Sequence, residues 1–330
     1  MIDLRRLQVL RVLQQQGSVT GAARALHLTP SAVSQQIRLL GRDLGVELLE
    51  RHGRGVRLTP AGHALVAHSD DLYARWEDAL ADLGDAGDGE TGNTLRVCGF
   101  PTAVASLLAP AVARLRQSRP VLTVHIEETE TPDSFARLVA GDADVAVVVP
   151  TAESPAVDDA RLHQTRLLDD PFDLLVPAGH ALAARRSVAL ADAAGETWIA
   201  APGSLDQHQL MLAAWSAAGF NPRITHQAKE WNAIVALVGH DFGVCLIPRL
   251  APLPAHQAVA RIPLRGEPAP FRRVLTVVRR GSRRQAGVAA VCTALEEVAA
   301  GLPPRLLEDV GAHRHADETA EARPHRHTYR

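Results

Sequence analysis

Ser31, Ser34, Gln35 and Arg38 stand three and four residues apart, so a helix would carry them on one face. Their side chains offer hydroxyls, an amide and a guanidinium. These groups reach base edges and phosphate oxygens in the major groove of DNA. Gln35 can pair bidentately with adenine, and Arg42 extends the same face. Val33, Ile37, Leu40 and Leu44 recur at helical spacing on the other side, which buries it. Thr29 can cap this helix with its hydroxyl, and Pro30 fits the first helical position, where no N–H is needed. An ordinary surface helix has the same outline, so the neighbouring segments decide the reading.

Upstream, Asp3 can cap a helix whose apolar positions are Leu4, Leu7, Leu10 and Leu13, and Gly17 ends it. Ser18 can cap a short second helix, Val19 to Leu26, kept slim by Gly21, Ala22, Ala23 and Ala25. His27-Leu28 then turns into Thr29. The order is helix, tight turn, outward-facing helix, as in a helix-turn-helix. Downstream, Leu48 to Arg51 and Val56 to Leu58 flank His52-Gly53-Arg54-Gly55, a glycine-bearing turn between two short strands. This wing carries Arg51, Arg54 and Arg57, which suit phosphates or a narrow minor groove. Residues 1–62 hold nine arginines against four acidic residues, whereas 63–90 are acidic. A net charge of −2 for the whole chain hides that local excess, which is the electrostatic footprint of nucleic-acid binding.

The segments "AARALHLTPSAVSQQIRLL", "LGVELLER" and "VRLTPAG" resemble the N-terminal winged helix-turn-helix of LysR-type transcriptional regulators. The chain departs from that pattern at Gly41, where an acidic residue is usual, and at Leu49, where Phe is usual. A glycine inside a helix costs about 1 kcal/mol against alanine, so a softer helix end is expected there. The resemblance implies binding to double-stranded promoter DNA, at imperfect palindromes, by Thr29, Pro30, Ser31, Ser34, Gln35, Arg38, Arg51 and Arg54.

Thr59-Pro60 repeats the cap-and-proline pattern and opens a helix to about Leu83. Leu65, Leu72 and Leu80 mark its apolar stripe, and Tyr73 and Trp76 add bulk. A stripe this long needs a partner, which a second copy of the same helix supplies. The resemblance implies the same: a homodimer or homotetramer paired through this linker. Gly84 to Gly92 is rich in Gly and Asp and reads as a hinge.

From Asn93 strands and helices alternate, beginning with Leu95 to Gly99 and a helix from Thr102 to about Gln117. Strands at 121–128 and 144–149 and a helix at 132–140 follow, which predicts a parallel α/β lobe. A second lobe begins near Leu174-Leu175-Val176, and the chain returns with a strand at 274–278 and a helix at 286–299. The segments "ADVAVVV", "LLVPAGHALA", "AAGF" and "VALVGHDFGVCLIPRLA" resemble the effector domain of the same family, whose fold is like periplasmic solute-binding proteins. The expected architecture is α/β multidomain. It comprises a winged helix-turn-helix at 2–59, a linker helix and hinge at 60–92, and a two-lobed effector domain at 93–300. Lobe I covers about 93–168 and 273–300, and lobe II about 169–272. The tail, 301–330, is rich in Pro, Arg and His and reads as disordered, despite His313, His315, His325 and His327.

Ligands of open α/β sheets sit outside the carboxyl ends of the strands. Those ends hold Pro101, Thr102, Thr129, Ser204, Trp231 and Asn232, the candidate contacts for a small-molecule effector in a cleft between the lobes. Thr102 and Ser204 near helix starts could favour a carboxylate, or could simply cap their helices. Glu128 and Glu130 argue against a strongly anionic effector. Ser106, Ser204, His208 and His240 could serve a hydrolase, yet none lies in a nucleophile elbow. No phosphate loop of the GxxxxGKS type, HExxH or CxxC occurs, so neither enzyme, cofactor nor metal is expected. Three scattered cysteines, Cys98, Cys245 and Cys292, read as small apolar residues of a reducing cytoplasm. No apolar run approaches the roughly 20 residues of a membrane span. The sequence thus reads as an effector-responsive DNA-binding regulator, with a solute binder lacking DNA function as its rival.

Overall fold

The computed structural model describes residues 3–52, 55–86, 94–202, 206–266 and 269–303. Two compact units emerge, one from Met1–Leu167 with Val274–Gly301 and the other centred on Leu168–Arg273.

The first unit opens with three helices, α1 (Leu4–Gln16), α2 (Val19–Ala25) and α3 (Pro30–Leu44). Each start is set by a short polar side chain: Asp3 accepts from the Arg5 N–H, Ser18 from Gly21 and Thr29 from Ala32. Gly17 and Gly45 close α1 and α3 in the left-handed conformation, which glycine adopts without a Cβ penalty. Leu7, Leu10 and Leu13 of α1 pack with Val33, Ile37 and Leu40 of α3, all buried. An antiparallel hairpin follows, β1 (Leu49–His52) and β2 (Gly55–Leu58), with Leu49 opposite Leu58.

Gly41 has a packing role in α3, which continues past it to Leu44. It is buried, and a Cβ there would stand 2.6 Å from the Val46 carbonyl oxygen. The Val46 N–H returns to the Gly41 carbonyl at 3.0 Å, so the missing side chain lets the chain fold tightly behind the helix.

The linker helix α4 (Pro60–Ala86) starts under Thr59, whose hydroxyl accepts from the Gly62 N–H and donates to the Glu47 carbonyl. It runs three residues into the expected hinge, and 87–93 lie outside the described residues. Next come β3 (Thr94–Gly99), the single turn α5 (Pro101–Ala103), a π-helical turn (Val104–Leu108) and α6 (Ala109–Ser118). The expected regular helix is widened at that turn because Pro110 has no N–H for the Ser106 carbonyl. β4 (Thr123–Glu128), α7 (Thr131–Ala140) and β5 (Val145–Val148) complete the unit's first pass. β3 runs parallel to both β4 and β5.

β6 (Leu162–Pro177) carries the chain into the second unit. Only Leu174 to Val176 reads as a strand in the sequence, because Asp169, Asp170 and Asp173 interrupt the apolar pattern. The structure buries Asp170 and Asp173 by pairing them with Arg272 and Arg249 at 2.8 and 2.9 Å. β7 (Val188–Ala189), β8 (Thr197–Ala200), α8 (Asp206–Ala217), β9 (Arg223–Gln227), α9 (Trp231–Gly239), β10 (Cys245–Pro248) and β11 (Val259–Arg265) follow. β10 and β11 flank β6 antiparallel, and β8 pairs with β9 in parallel. Trp198 and Trp215 meet edge to face at 5.3 Å in the core.

β12 (Phe271–Arg279) re-enters the first unit, where it lies antiparallel to β5, and α10 (Ala286–Ala300) covers that sheet. No described helix is long and apolar enough to cross a membrane. Residues 304–330, with the histidine pairs of the tail, lie outside the described residues.

Candidate nucleic-acid interface and effector domain

On α3 the buried stripe leaves the polar face outside. Ser31, Gln35, Arg38 and Arg42 are exposed, as are Thr29 and Pro30 at the helix start, and Ser34 is half-buried. The Thr29 hydroxyl serves the helix, accepting from Ala32 at 3.2 Å and lying 3.0 Å from the Ser31 hydroxyl. Arg38 Nε donates to the Ser34 carbonyl at 3.2 Å, which lays its guanidinium along the helix surface. Gln35 stands one turn after Ser31 and is exposed on the same face.

An open concavity of about 760 Å³ separates α3 from the wing, lined in part by Ser34, Arg38, Arg42, Arg51 and Val56. Arg51 is exposed on β1. Arg57 stands opposite Glu50 in the hairpin register and bonds it. One wing guanidinium is thereby neutralised by its own strand partner, a pairing that the four-residue strands make readable once register is known. Arg54 lies outside the described residues. Arg6 bonds Asp43 and buried Arg11 bonds Asp70 of α4, so these two arginines hold the module together.

Leu72 and Trp76 of α4 are 47% and 53% exposed, and Leu4 of α1 is 42% exposed. With Tyr73 and Ala79 they border a mostly apolar concavity of about 410 Å³. Leu65 packs instead against the helix-turn-helix core, and the Leu80 side chain lies outside the described residues.

The strand ends of the first unit hold Pro101, half-buried, and Thr102 and Thr129, both buried. Phe100, not Thr102, occupies the cap position of α5. Thr129 donates its N–H to the Gly99 carbonyl, and its hydroxyl lies 2.7 Å from that of buried Ser134. Thr131 donates to the Val149 carbonyl at 3.1 Å. Thr131 belongs to the strand end Thr129-Glu130-Thr131 that the sequence marks, whereas Ser134 escaped the sequence reading because nothing marks which hydroxyls of 129–134 face inward. In the second unit Trp231 is half-buried against the apolar core and Asn232 is exposed, both in the first turn of α9. Ser204 lies outside the described residues.

Burial pushes up the thiols of Cys98, Cys245 and Cys292, the last to about 11. His208 Nδ1 lies 3.0 Å from the Ala201 carbonyl.

The outward polar helix, the arginine-bearing wing and the α/β domain define a winged helix-turn-helix protein joined to a ligand-binding domain. The family of bacterial regulatory helix-turn-helix proteins, lysR family, matches residues 4–63, and the LysR substrate binding domain matches residues 88–300. The chain belongs to the LysR family of transcriptional regulators: it is a DNA-binding regulator with an effector-binding domain. It is similar to a probable hydrogen peroxide-inducible genes activator of Streptomyces viridosporus, 29% identical over 314 residues that cover 93% of this chain and 97% of the relative. The transcriptional dual regulator GltC of Bacillus subtilis is 28% identical over 252 residues, covering 75% of this chain and 81% of the relative. A full-length OxyR variant from Pseudomonas aeruginosa shares the fold, with a TM-score of 0.63 at 23% identity, over 89% of this chain and 95% of that one.

Proposed function

We propose that the protein reads paired half-sites of an imperfect palindrome in promoter DNA, as a homodimer or a homotetramer. The observation that carries this is the exposed face of Ser31, Gln35 and Arg38 on α3, flanked by Arg51 of the wing. A single recognition helix reads only a short site, so affinity requires pairing. Leu4, Leu72 and Trp76 supply an apolar surface for that pairing beside the linker helix. Under this reading Gln35 contacts a base, Arg38 and Arg51 contact phosphates, and Thr29 and Pro30 set the helix start against the backbone.

In the same reading the protein works in the cytoplasm, and its ligand is a small molecule of low negative charge, since Glu128 and Glu130 flank the strand ends of the first unit. Pro101, Thr102 and Thr129, with Ser204, Trp231 and Asn232, remain the proposed contacts. Thr129 contributes through its backbone or its hydroxyl pair with Ser134 rather than through a free side chain. We assign no catalysis to His208, whose Nδ1 faces a carbonyl. A peroxide response of the kind named for the Streptomyces viridosporus relative is disfavoured by the raised thiols, because the thiolate is the reactive form.

The test is selection of duplexes from a random pool by the full-length protein, followed by sedimentation of the complex. Paired half-sites bound by an even number of protomers support the reading. No selected sequence, or binding by a monomer, sinks it.

A further inference from the structure

The carboxyl end of α7 is where the DNA-binding module meets the effector domain. The last carbonyls of a helix have no partner inside it and must find one elsewhere. Here two separate arms supply partners. Gln8 of α1 donates its Nε2 to the Val139 carbonyl at 2.8 Å. Arg11 orients Gln8 by donating Nη1 to its Oε1 at 2.9 Å. Arg11 in turn bonds Asp70 of α4 and lies over the Tyr73 ring at 4.3 Å. The second arm is Arg279 of β12, which donates to the Leu138 carbonyl at 3.2 Å and to the Ala143 carbonyl, and pairs with Asp144 at 3.0 Å and with Glu77 of α4. Ala140 packs directly against the helix-turn-helix core.

The amino end of the same helix closes over the strand ends. Thr131 bonds the Val149 carbonyl, and Ser134 bonds Thr129 beside the Cys98 thiol. Between the two ends Phe135, Leu138 and Val139 are 2% exposed or less and fix α7 to the sheet. A helix of ten residues spans about 15 Å, so α7 links these two ends directly.

We propose that α7 is the lever between the two activities: a displacement at its Thr131 end moves Val139, and through Gln8 and Arg279 it shifts α1 and α4, which carry the recognition helix. The inference extends the proposed function, since it assigns the route by which a ligand alters DNA binding. Coupling of this kind is established only when perturbing one end changes the other and severing the middle abolishes the change.

The experiment is hydrogen exchange on the full-length protein. Thr131→Val removes the bond to Val149, and Pro132→Gly loosens the exposed first turn in case the buried change prevents folding. Either variant should speed exchange of the α1 amides from Gln8 to Leu13 by about fivefold or more. In a Gln8→Leu background, with Gln8→Ala as the alternative, the same changes at 131 or 132 should add less than twofold. Unaltered α1 exchange in both single variants, or additive effects in the Gln8 background, would overturn the lever. A protein that selects no duplex would defeat the proposed function, while the exchange result would still decide the lever on its own.

Discussion

Arg279 and Glu77 form an ion pair although 202 residues separate them in the chain. Both side chains are largely buried, at 14% and 13% exposure. The pair attaches the linker helix to the strand that returns from the second unit. Removing one partner of a buried pair strands the other, at a cost of about 3–5 kcal/mol. Arg279→Gln should therefore lower the urea midpoint of the full-length protein strongly. Adding Glu77→Gln should recover part of the loss, and no recovery would mean that the lost bonds to the Leu138 and Ala143 carbonyls dominate.

Gln35→Ala should weaken binding to a selected site by about 1–3 kcal/mol and binding to random duplex much less. Fluorescence anisotropy on both duplexes gives the two numbers. Equal losses would make Gln35 a backbone contact.

Arg51→Ala should weaken binding to all sequences and flatten the dependence of log affinity on log salt by about one unit. Arg57→Ala should do less, because Glu50 already neutralises that guanidinium. A larger change in slope for Arg57 than for Arg51 would contradict the charge assignment of the wing.

Gly281 sits where α4 crosses the turn after β12. A Cβ there would fall within the Ala74 carbonyl and 2.8 Å from the Glu77 Cβ. Gly281→Ala must push the linker helix away, so it should lower Tm and open α4 to proteolysis near Ala74. A variant with wild-type Tm and cleavage pattern would show that the turn yields without cost.

The Cys292 thiol, raised from 9.0 to about 11, is bound to its proton in the folded chain where the unfolded chain has lost it. Between those two values the folded state holds more protons, so stability falls as pH rises through that window. Cys292→Ala should flatten the decline between pH 9 and 11. At pH 8 the three thiols should react with a disulfide reagent far more slowly in the native protein than in urea. Rapid native labelling would reopen a thiol-based response.

The helix-turn-helix was legible because its signals are local: Asp3, Ser18 and Thr29 cap, Gly17 stops α1, and the apolar stripe of α3 faces inward. β11 and most of β6 were not, because Asp170, Asp173 and Arg261 occupy strand interiors and look solvated until their distant partners, Arg272 and the residues after β10, arrive. The outward polar face of α3, with Ser31, Gln35, Arg38 and Arg42 exposed, could be named from type and spacing alone. Thr129 looked like an open contact, since a sequence does not tell that Ser134, five residues on, meets its hydroxyl. Gln8 drew no notice at all, because its partner is a backbone carbonyl 131 residues away.

The chain leaves the first unit after Leu167 and returns only at Val274. During synthesis the recognition module emerges early, with its caps and core complete, while Arg279 and Gly281 are still untranslated. The linker helix thus waits on the ribosome for the partners that will seat it, through the whole length of the second unit. A message truncated before codon 279 would encode the helix-turn-helix and linker helix without Arg279 and Gly281, the residues that seat α4. The seating of the linker helix is a late event in building the first unit, set by a residue that arrives 202 residues after its partner Glu77 on that helix.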